Sequence, residues 1–229
     1  MRWSFLAEIN SQISINGRPG IVLEGTIMDF NIKYHRHAQA MVQRKEFMED
    51  YDNLIECLES ISDEDIITHF EANGSKDTSI SKSINRLIRQ RLTHEGWSDE
   101  SPIFQSDKHG TGMWRLDFVK GKISLEVAFN HGEATAWNLL KPTLASEVNN
   151  VQKAVKTELG IIIFVTKAMK KAGGFDGAVG TLEKAETFLT PMYGMLICPL
   201  ILIGLEPPST FEVEHTKVGN RKIGRIKRI

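Results

Sequence analysis

The chain has 229 residues, of which 41% are hydrophobic and 25% charged, and its formal net charge at pH 7 is −1. A chain of this length can bury one substantial core, and this balance excludes a disordered, fibrous or strongly basic protein. Basic charge that binds nucleic acid must therefore be concentrated locally.

Neither a membrane anchor nor a disulfide scaffold is expected. The longest apolar run, MLICPLILIGL over 195–205, is too short to cross a bilayer, and the opening MRWSFLAEINSQ lacks the apolar core of a signal peptide. Cys57 and Cys198 are far apart and have no metal-like spacing, which favours a reduced, cytoplasmic protein.

The N-terminal portion of the chain is predicted to be mainly helical. A loosely alternating stretch over 21–34 predicts one strand, and apolar residues then recur at helical spacing over 43–61 and 63–72. A third helix begins near Asp77 and ends before Gly96-Trp97. Its apolar stripe comprises Ile80, Ile84, Leu87, Ile88 and Leu92, and its opposite face carries Lys82, Arg86, Arg89 and Arg91.

Strands and helices alternate in the C-terminal portion of the chain. LDFVKGKISLEVAF (116–129) predicts a β-hairpin, and β-branched runs at 160–166 and 197–204 predict buried strands. A helix after the hairpin is expected to be interrupted near Pro142, because proline cannot donate the backbone hydrogen bond. A glycine-rich loop then leads to a helix over 181–189. These elements predict one α/β domain with a mixed sheet and helices on both faces.

Two acids in the hairpin raise a chemical question. With a two-residue turn at Lys120-Gly121, Asp117 and Glu126 become diagonal neighbours on one face, about 7–8 Å apart at the backbone, while Leu116, Phe118, Leu125, Val127 and Phe129 face the core. A three-residue turn would place the acids on opposite faces. Carboxylates this close repel each other unless a cation lies between them, and Mg²⁺ prefers oxygen ligands. The alternative is a solvated hairpin face with Arg115 as local partner.

The hairpin resembles the active-site hairpin of PD-(D/E)xK nucleases, in which an Asp in one strand precedes Glu-x-Gln or Glu-x-Lys in the next. It is most similar to that of the BglII/BstYI-like type II restriction endonucleases, where DFV precedes an EVQF strand. INRLIRQRLTHEGW, GIIIFVTK and PLILIGLEPP resemble the preceding helix and two later strands of that family. The resemblance implies a restriction-endonuclease-like fold with a central mixed β-sheet flanked by helices. It implies one domain over 1–229, comprising a weakly matching helical segment (1–75), a catalytic core (78–208) and a basic tail (217–229).

The family's site residues carry over by position. The resemblance implies that Asp117 and Glu126 are catalytic acids that hold Mg²⁺, with the main-chain carbonyl of Val127 as a third ligand. Asn130 and His131 occupy the place from which family members reach base edges. Lys167, Lys170 and Lys171 precede the glycine-rich loop and are available for DNA phosphates. That loop has no following Lys-Ser/Thr, so no nucleotide cofactor is expected.

The sequence departs from the family at Ala128, where the family has Gln and the wider superfamily Lys. A methyl group can neither orient a water molecule nor contact a phosphate. The candidates to replace that side chain are Lys120, Glu133, Lys141, Glu147 and, less directly, Glu71.

The leading interpretation is a homodimeric, Mg²⁺-dependent type II restriction endonuclease acting on double-stranded DNA. The resemblance implies a palindromic target with a GATC-like core and 5′-phosphate products. The alternatives are a DNA-binding relative that has lost catalysis, a structure-specific repair nuclease of the same superfamily, and an interaction domain without a DNA role. The tail KVGNRKIGRIKRI has six Lys/Arg and no acid, and either clamps a duplex or is solvated.

Overall fold

The computed structural model of the protein describes residues 26–72, 76–105, 114–147 and 153–229. Within these ranges the helices are α1 Ala38–Met41, α2 Lys45–Glu59, α3 Asp63–Ala72, α4 Ser81–His94, α5 Thr135–Ser146, α6 Lys167–Ala172 and α7 Leu182–Leu189. The strands are β1 Phe30–His35, β2 Ser98–Pro102, β3 Arg115–Lys120, β4 Ile123–Val127, β5 Leu159–Val165, β6 Leu200–Leu205, β7 Phe211–Val218 and β8 Arg221–Arg228.

Six strands form one mixed sheet in the order β1-β6-β5-β4-β3-β2. The central strands β4, β5 and β6 run parallel, and antiparallel strands flank them on both sides. All seven residues of β5 are buried, as are all six of β6. Their β-branched and apolar composition suits strands covered on both faces, so both predicted buried strands are confirmed.

Helices cover both faces of the sheet because side chains alternate along each strand. One face packs against α2, α3 and α4 and contributes Phe118, Leu125, Ile161, Ile163 and Ile203 to their core. The other face packs against α5 and α7 through a second cluster that includes Leu139, Ile162, Phe164, Leu182 and Leu202. The predicted α/β fold, a central mixed sheet flanked by helices, is confirmed.

The helices predicted for the N-terminal portion of the chain are also found. α2 and α3 lie within the ranges expected from their apolar spacing, and the predicted stripe of α4 is buried. The basic face of α4 is largely neutralised, since Lys82 pairs with Asp77, Arg91 with Asp65, and Arg89 with Asp99 and Glu100. The strand predicted over 21–34 corresponds in part to β1, which pairs with β6; residues 21–25 of that prediction lie outside the described residues.

The expected interruption at Pro142 is wrong, because α5 continues through this residue and ends at Ser146. Pro142 is buried against β5, where a Cβ added to Gly160 would lie 2.4 Å from the Pro142 Cβ. The absence of a side chain on Gly160 thus makes room for the proline ring. The lost backbone hydrogen bond is tolerated because the ring packs on the sheet.

The basic tail forms all of β8 and the end of β7, which pair as a separate hairpin. Lys227 contacts Glu212 and Glu214 of β7 at 2.9 and 2.6 Å, and Arg228 pairs with Glu64 at 3.0 Å. Buried Asp63 holds the entry to this hairpin by accepting hydrogen bonds from the backbone N–H groups of Ser209 and Thr210 and the Thr210 hydroxyl. No helix of the described residues is long and apolar enough to span a membrane.

Candidate active site

The hairpin that carries the two acids turns one residue later than expected. Lys120 pairs with Ile123, so the turn residues are Gly121 and Lys122, and the predicted turn at Lys120-Gly121 is wrong. Gly121 has φ +51°, which places the residue without a Cβ at the first turn position. This is the position that a type II′ hairpin turn reserves for glycine.

The shifted register brings the acids closer than the sequence suggested. Phe118 pairs with Leu125, and the next step of that register sets Asp117 directly opposite Glu126 instead of diagonal to it. Side chains of directly opposed residues share a face, with Cβ atoms about 5 Å apart. Phe118 and Leu125 pack on the opposite face in the main core, as predicted, whereas buried Leu116 belongs to a smaller cluster beside Ala145.

Glu126 is almost fully buried, with 2% of its surface exposed. Its Oε2 accepts a hydrogen bond from Lys141 Nζ of α5 at 2.6 Å, while its Oε1 has no hydrogen-bond partner of good geometry among the described residues. Burial and the neighbouring charge of Asp117 raise the pKa of Glu126 to about 8, although Lys141 acts in the opposite direction. The site therefore holds an acid whose charged form is under-stabilised.

Asp117 is held by the main chain of the facing strand. Its Oδ2 accepts a hydrogen bond from the Val127 N–H at 2.8 Å. Burial raises the pKa of Asp117, and the bond from Val127 and the charge of Lys141 only partly offset it. The charge of Glu100 adds to the rise; this residue lies on β2, where the ladder to β3 sets it opposite Asp117.

Glu100 is a charged neighbour that the sequence did not reveal. Its strand, SDESP, has no apolar alternation, and Glu100 itself has φ +48°. Arg89 binds it at 3.0 Å and also pairs with Asp99 at 2.6 Å. The outer side of the acid pair is thus lined by a charged edge strand.

The donor set suits a hard divalent cation. The described residues contain no group of three or more His, Cys, Asp or Glu side chains that could hold a metal ion. Mg²⁺ needs no such group, since one or two carboxylates, waters and substrate phosphate oxygens suffice. The unpartnered, buried Oε1 of Glu126 is a ligand atom of this kind. The Val127 carbonyl accepts a hydrogen bond from the Phe129 N–H at 3.1 Å, and a carbonyl oxygen has two lone pairs.

Five residues were considered as replacements for the side chain missing at Ala128. The structure places one of them, Lys141, in contact with the acid pair through Glu126. Lys120 points elsewhere, since its Nζ lies 3.5 Å from Asp50 and 3.1 Å from the Asn53 amide oxygen. Three other candidates are exposed: Glu71 on α3, Glu133 after the hairpin, and Glu147 at the end of α5.

A basic cleft of about 370 Å³ lies beyond the carboxyl end of β4. It is lined by the predicted DNA-binding residues His131, Lys167 and Lys170, together with Lys184 of α7. Glu133 is the one acid among its lining residues. His131 follows Glu126 by five residues, which limits their separation to about 17 Å. Sequence reasoning missed Lys184, which is one more charged residue on an amphipathic helix.

The remaining predicted DNA-binding residues lie beside this cleft. The Oδ1 atom of Asn130 accepts a hydrogen bond from the Asn138 amide at 3.0 Å, and its backbone carbonyl accepts one from the Gly180 N–H. The bond to Asn138 uses the amide oxygen of Asn130, so its side-chain NH2 group is left to donate a hydrogen bond. Lys171 is exposed on α6 but does not line the cleft.

Comparison with solved structures supports the fold. The chain is similar to restriction endonuclease BglII complexed with a DNA 16-mer, with a TM-score of 0.59 and 19% identity over 88% of this chain and 92% of that one. It also matches free BglII, with a TM-score of 0.47 and 17% identity over 88% of this chain and all of that one. No curated protein sequence matches the chain.

Comparison with protein families gives the assignment. The family described as restriction endonuclease BglII/BglIII matches residues 30–205, which is more than three quarters of the chain and includes both acids and the basic cleft. Enzymes of this family are site-specific deoxyribonucleases and generally use divalent metal ions. The chain therefore belongs to the BglII/BglIII restriction endonuclease family.

Proposed function

We propose that the protein is a type II restriction endonuclease that hydrolyses double-stranded DNA at a short palindrome, requires Mg²⁺ and leaves 5′-phosphates. The observation that carries this proposal is the placement of Asp117 and Glu126 on neighbouring strands, close enough for the charge of Asp117 to raise the pKa of Glu126, with the buried Oε1 of Glu126 left without a hydrogen-bond partner. Buried Glu126 and half-buried Asp117, held this close, destabilise the metal-free protein, whereas a cation between them satisfies both.

Asp117, Glu126 and the Val127 carbonyl are the proposed metal ligands. Mg²⁺ held there would polarise the scissile phosphate and lower the pKa of a bound water. In the reaction a water molecule gives up a proton and its oxygen forms a bond to phosphorus, the bond from phosphorus to the 3′ oxygen breaks, and the 3′ oxygen takes up a proton. The products are a 5′-phosphate and a 3′-hydroxyl.

The basic cleft is proposed to hold the DNA next to the acids. Lys167, Lys170 and Lys184 supply positive charge for backbone phosphates, and exposed Lys171 extends that surface. His131 and the side-chain NH2 group of Asn130 are the proposed contacts to base edges. The DNA 16-mer bound to the BglII neighbour supports this role for a shared fold.

A palindrome has two scissile strands related by a twofold axis, so we propose that the enzyme works as a homodimer. We also propose that it works in the cytoplasm. A GATC-like core for the target follows from the family resemblance of the hairpin alone.

The test is cleavage of unmethylated plasmid DNA by the purified protein with Mg²⁺. Discrete bands are expected from the wild type. Asp117→Asn keeps an acceptor for the Val127 N–H but loses the charge, and cleavage should fall by about 10³-fold or more. DNA binding, measured with Ca²⁺ in place of Mg²⁺, should persist.

Asp50→Asn is the matched control, since Asp50 is an acid beside the same hairpin that pairs with Lys120 and lies away from Glu126. It should cut at nearly the wild-type rate. A smear of products, or binding without cleavage by the wild type, would contradict the proposal; the second outcome would indicate a relative that has lost catalysis.

A further inference from the structure

The acid pair is bound directly by a lysine that comes from a different element of the fold. Lys141 comes from α5, 24 residues after Asp117 in the chain, and its Nζ lies 2.6 Å from Glu126 Oε2. Its side chain is only 12% exposed, so the ammonium group is held in the interior beside both acids. Within the described ranges it is the one lysine or arginine that forms an ion pair with either Asp117 or Glu126.

We propose that Lys141 is a catalytic residue whose ammonium group contacts the scissile phosphate and stabilises the negative charge that gathers on it during hydrolysis. This inference deepens the proposed function and rests on it.

The packing around Ala128 supports this role for Lys141. The phosphate-contacting side chain that the family carries on the strand is here supplied by the helix. Ala128 is 1% exposed and belongs to the same apolar cluster as Leu139 of α5. A long side chain at position 128 would have to displace this helix. The helix instead lies over the end of β4 and delivers Lys141 to the same face as Glu126. A small residue on the strand and a lysine on the helix are thus complementary.

The charge balance of the site supports the same role. With both acids ionised and one phosphate group present, the negative charges number three; the charge of nearby Glu100 is offset by its ion pair with Arg89. Lys141 and a divalent cation together supply three positive charges, so the assembled site is neutral. Without Lys141 a net negative charge would remain beside a phosphate that becomes more negative in the transition state.

A purely structural ion pair accounts less well for this lysine. Burying a lysine and a carboxylate together seldom stabilises a protein more than apolar side chains of similar size would. Lys141 also satisfies only one of the two carboxylate oxygens of Glu126 and leaves Oε1 open.

The experiment compares Lys141→Met with the wild type in single-turnover cleavage of unmethylated plasmid DNA. Methionine keeps the length of the side chain and removes its charge. Loss of one preorganised charged donor predicts a rate about 10²- to 10³-fold lower at saturating Mg²⁺. Two further measurements should change little: binding of a duplex fragment with Ca²⁺, and Mg²⁺ uptake followed by calorimetry with that duplex present. Lys141→Arg should recover part of the lost rate.

Lys120→Met is the matched control. Lys120 is a half-buried lysine of the hairpin that carries the acids, but its partners are Asp50 and Asn53. It should cut within about threefold of the wild type. If Lys141→Met unfolds at the assay temperature, Lys141→Gln, which keeps a donor for Glu126 without the charge, takes its place with the same thresholds.

The possible outcomes separate the two proposals. A wild type that cuts, with Lys141→Met cutting at least one third as fast, overturns the role of Lys141 and leaves the nuclease proposal standing. Restoration of the Lys141→Met rate by higher Mg²⁺ also overturns it, since the lysine would then only position Glu126. A wild type that cuts no DNA overturns the proposed function and this inference together.

Discussion

Glu126 is a side chain that is unfavourable for folding and suited to the proposed binding of a metal ion. It is buried, faces a second acid, and uses only one of its oxygens in a hydrogen bond. Its pKa of about 8 means that the metal-free folded protein prefers the protonated form at neutral pH. A cation that binds only the ionised pair must displace that proton, so metal affinity should rise with pH.

This acid predicts an unusual pH dependence of stability. The folded pKa lies above the ordinary value of 4.5, so between pH 4.5 and 8 the folded protein retains a proton that the unfolded chain releases. The free energy of unfolding of the metal-free protein should therefore fall as pH rises through this window. In EDTA, the melting temperature should decrease by about 5 °C between pH 5 and pH 8.

Glu126→Gln removes the titrating group and should flatten this slope, with a melting temperature at pH 8 above that of the wild type. Glu133→Gln is the control, since this nearby acid is exposed. A slope that is unchanged in Glu126→Gln would show that another group is responsible.

At the level of elements, the position of α5 determines whether the Lys141 side chain reaches the acid pair. The helix contacts the sheet where Pro142 packs on Gly160, and the residue just before this proline is Lys141, which projects toward Glu126. Glycine is needed at this point of β5 because of close approach, not because of its backbone angles.

A methyl group at this contact should separate helix and strand. In Gly160→Ala the new Cβ would lie 2.4 Å from the rigid ring of Pro142 and 2.8 Å from Leu200. Overpacking of this kind should lower the free energy of unfolding by about 3 kcal/mol, measured by urea denaturation. Gly194→Ala, where the added Cβ meets no atom within 4 Å, should change it by less than about 1 kcal/mol. Equal stabilities of the two variants would contradict the proposed packing.

The elements with a strong apolar pattern could be predicted from the sequence, and those without one could not. α3, the stripe of α4 and strands β5 and β6 follow from spacing, because burial dictates their composition. β2 is a polar edge strand, and much of the terminal hairpin is exposed, so neither has a periodic signal. The register of the hairpin that carries the two acids depends on whether Gly121 is the first or the second residue of the turn. The predicted turn has it second, which sets Ser124 opposite Asp117, whereas the observed register sets Glu126 there.

The candidate site was predicted incompletely for the same reason. Asp117 and Glu126 are adjacent in the hairpin, so local sequence brings them together. Lys141 was one of several candidates, because its approach to Glu126 depends on how a helix docks across the sheet. Lys184 and Glu100 reach the cleft and the acid pair through tertiary packing that no local pattern records.

For the whole molecule, the proposed homodimer predicts a measurable mass. One chain has a mass of 25.8 kDa. Sedimentation of the protein in the absence of DNA should therefore give a particle mass of twice that value, about 52 kDa. A species of one chain mass at micromolar concentration would contradict a stable dimer.

Two active sites also predict a distinct product from mixed dimers. When wild-type and Asp117→Asn chains are produced together and the mixed dimers purified, each dimer has one competent site. Such dimers should nick one strand of a supercoiled plasmid, so open circles should accumulate before linear DNA. Direct conversion to linear DNA at the wild-type rate would argue against one strand per subunit.

The contact between Lys141 and Glu126 bears on how the enzyme searches for its target. An internal ammonium group already offsets some of the negative potential that would otherwise repel the phosphodiester chain. Under the proposed function, the protein would bind duplex DNA before a cation arrives and would slide along it in a form that does not hydrolyse it. Cleavage would then begin only when the proposed magnesium ion joins a complex already bound at the target sequence.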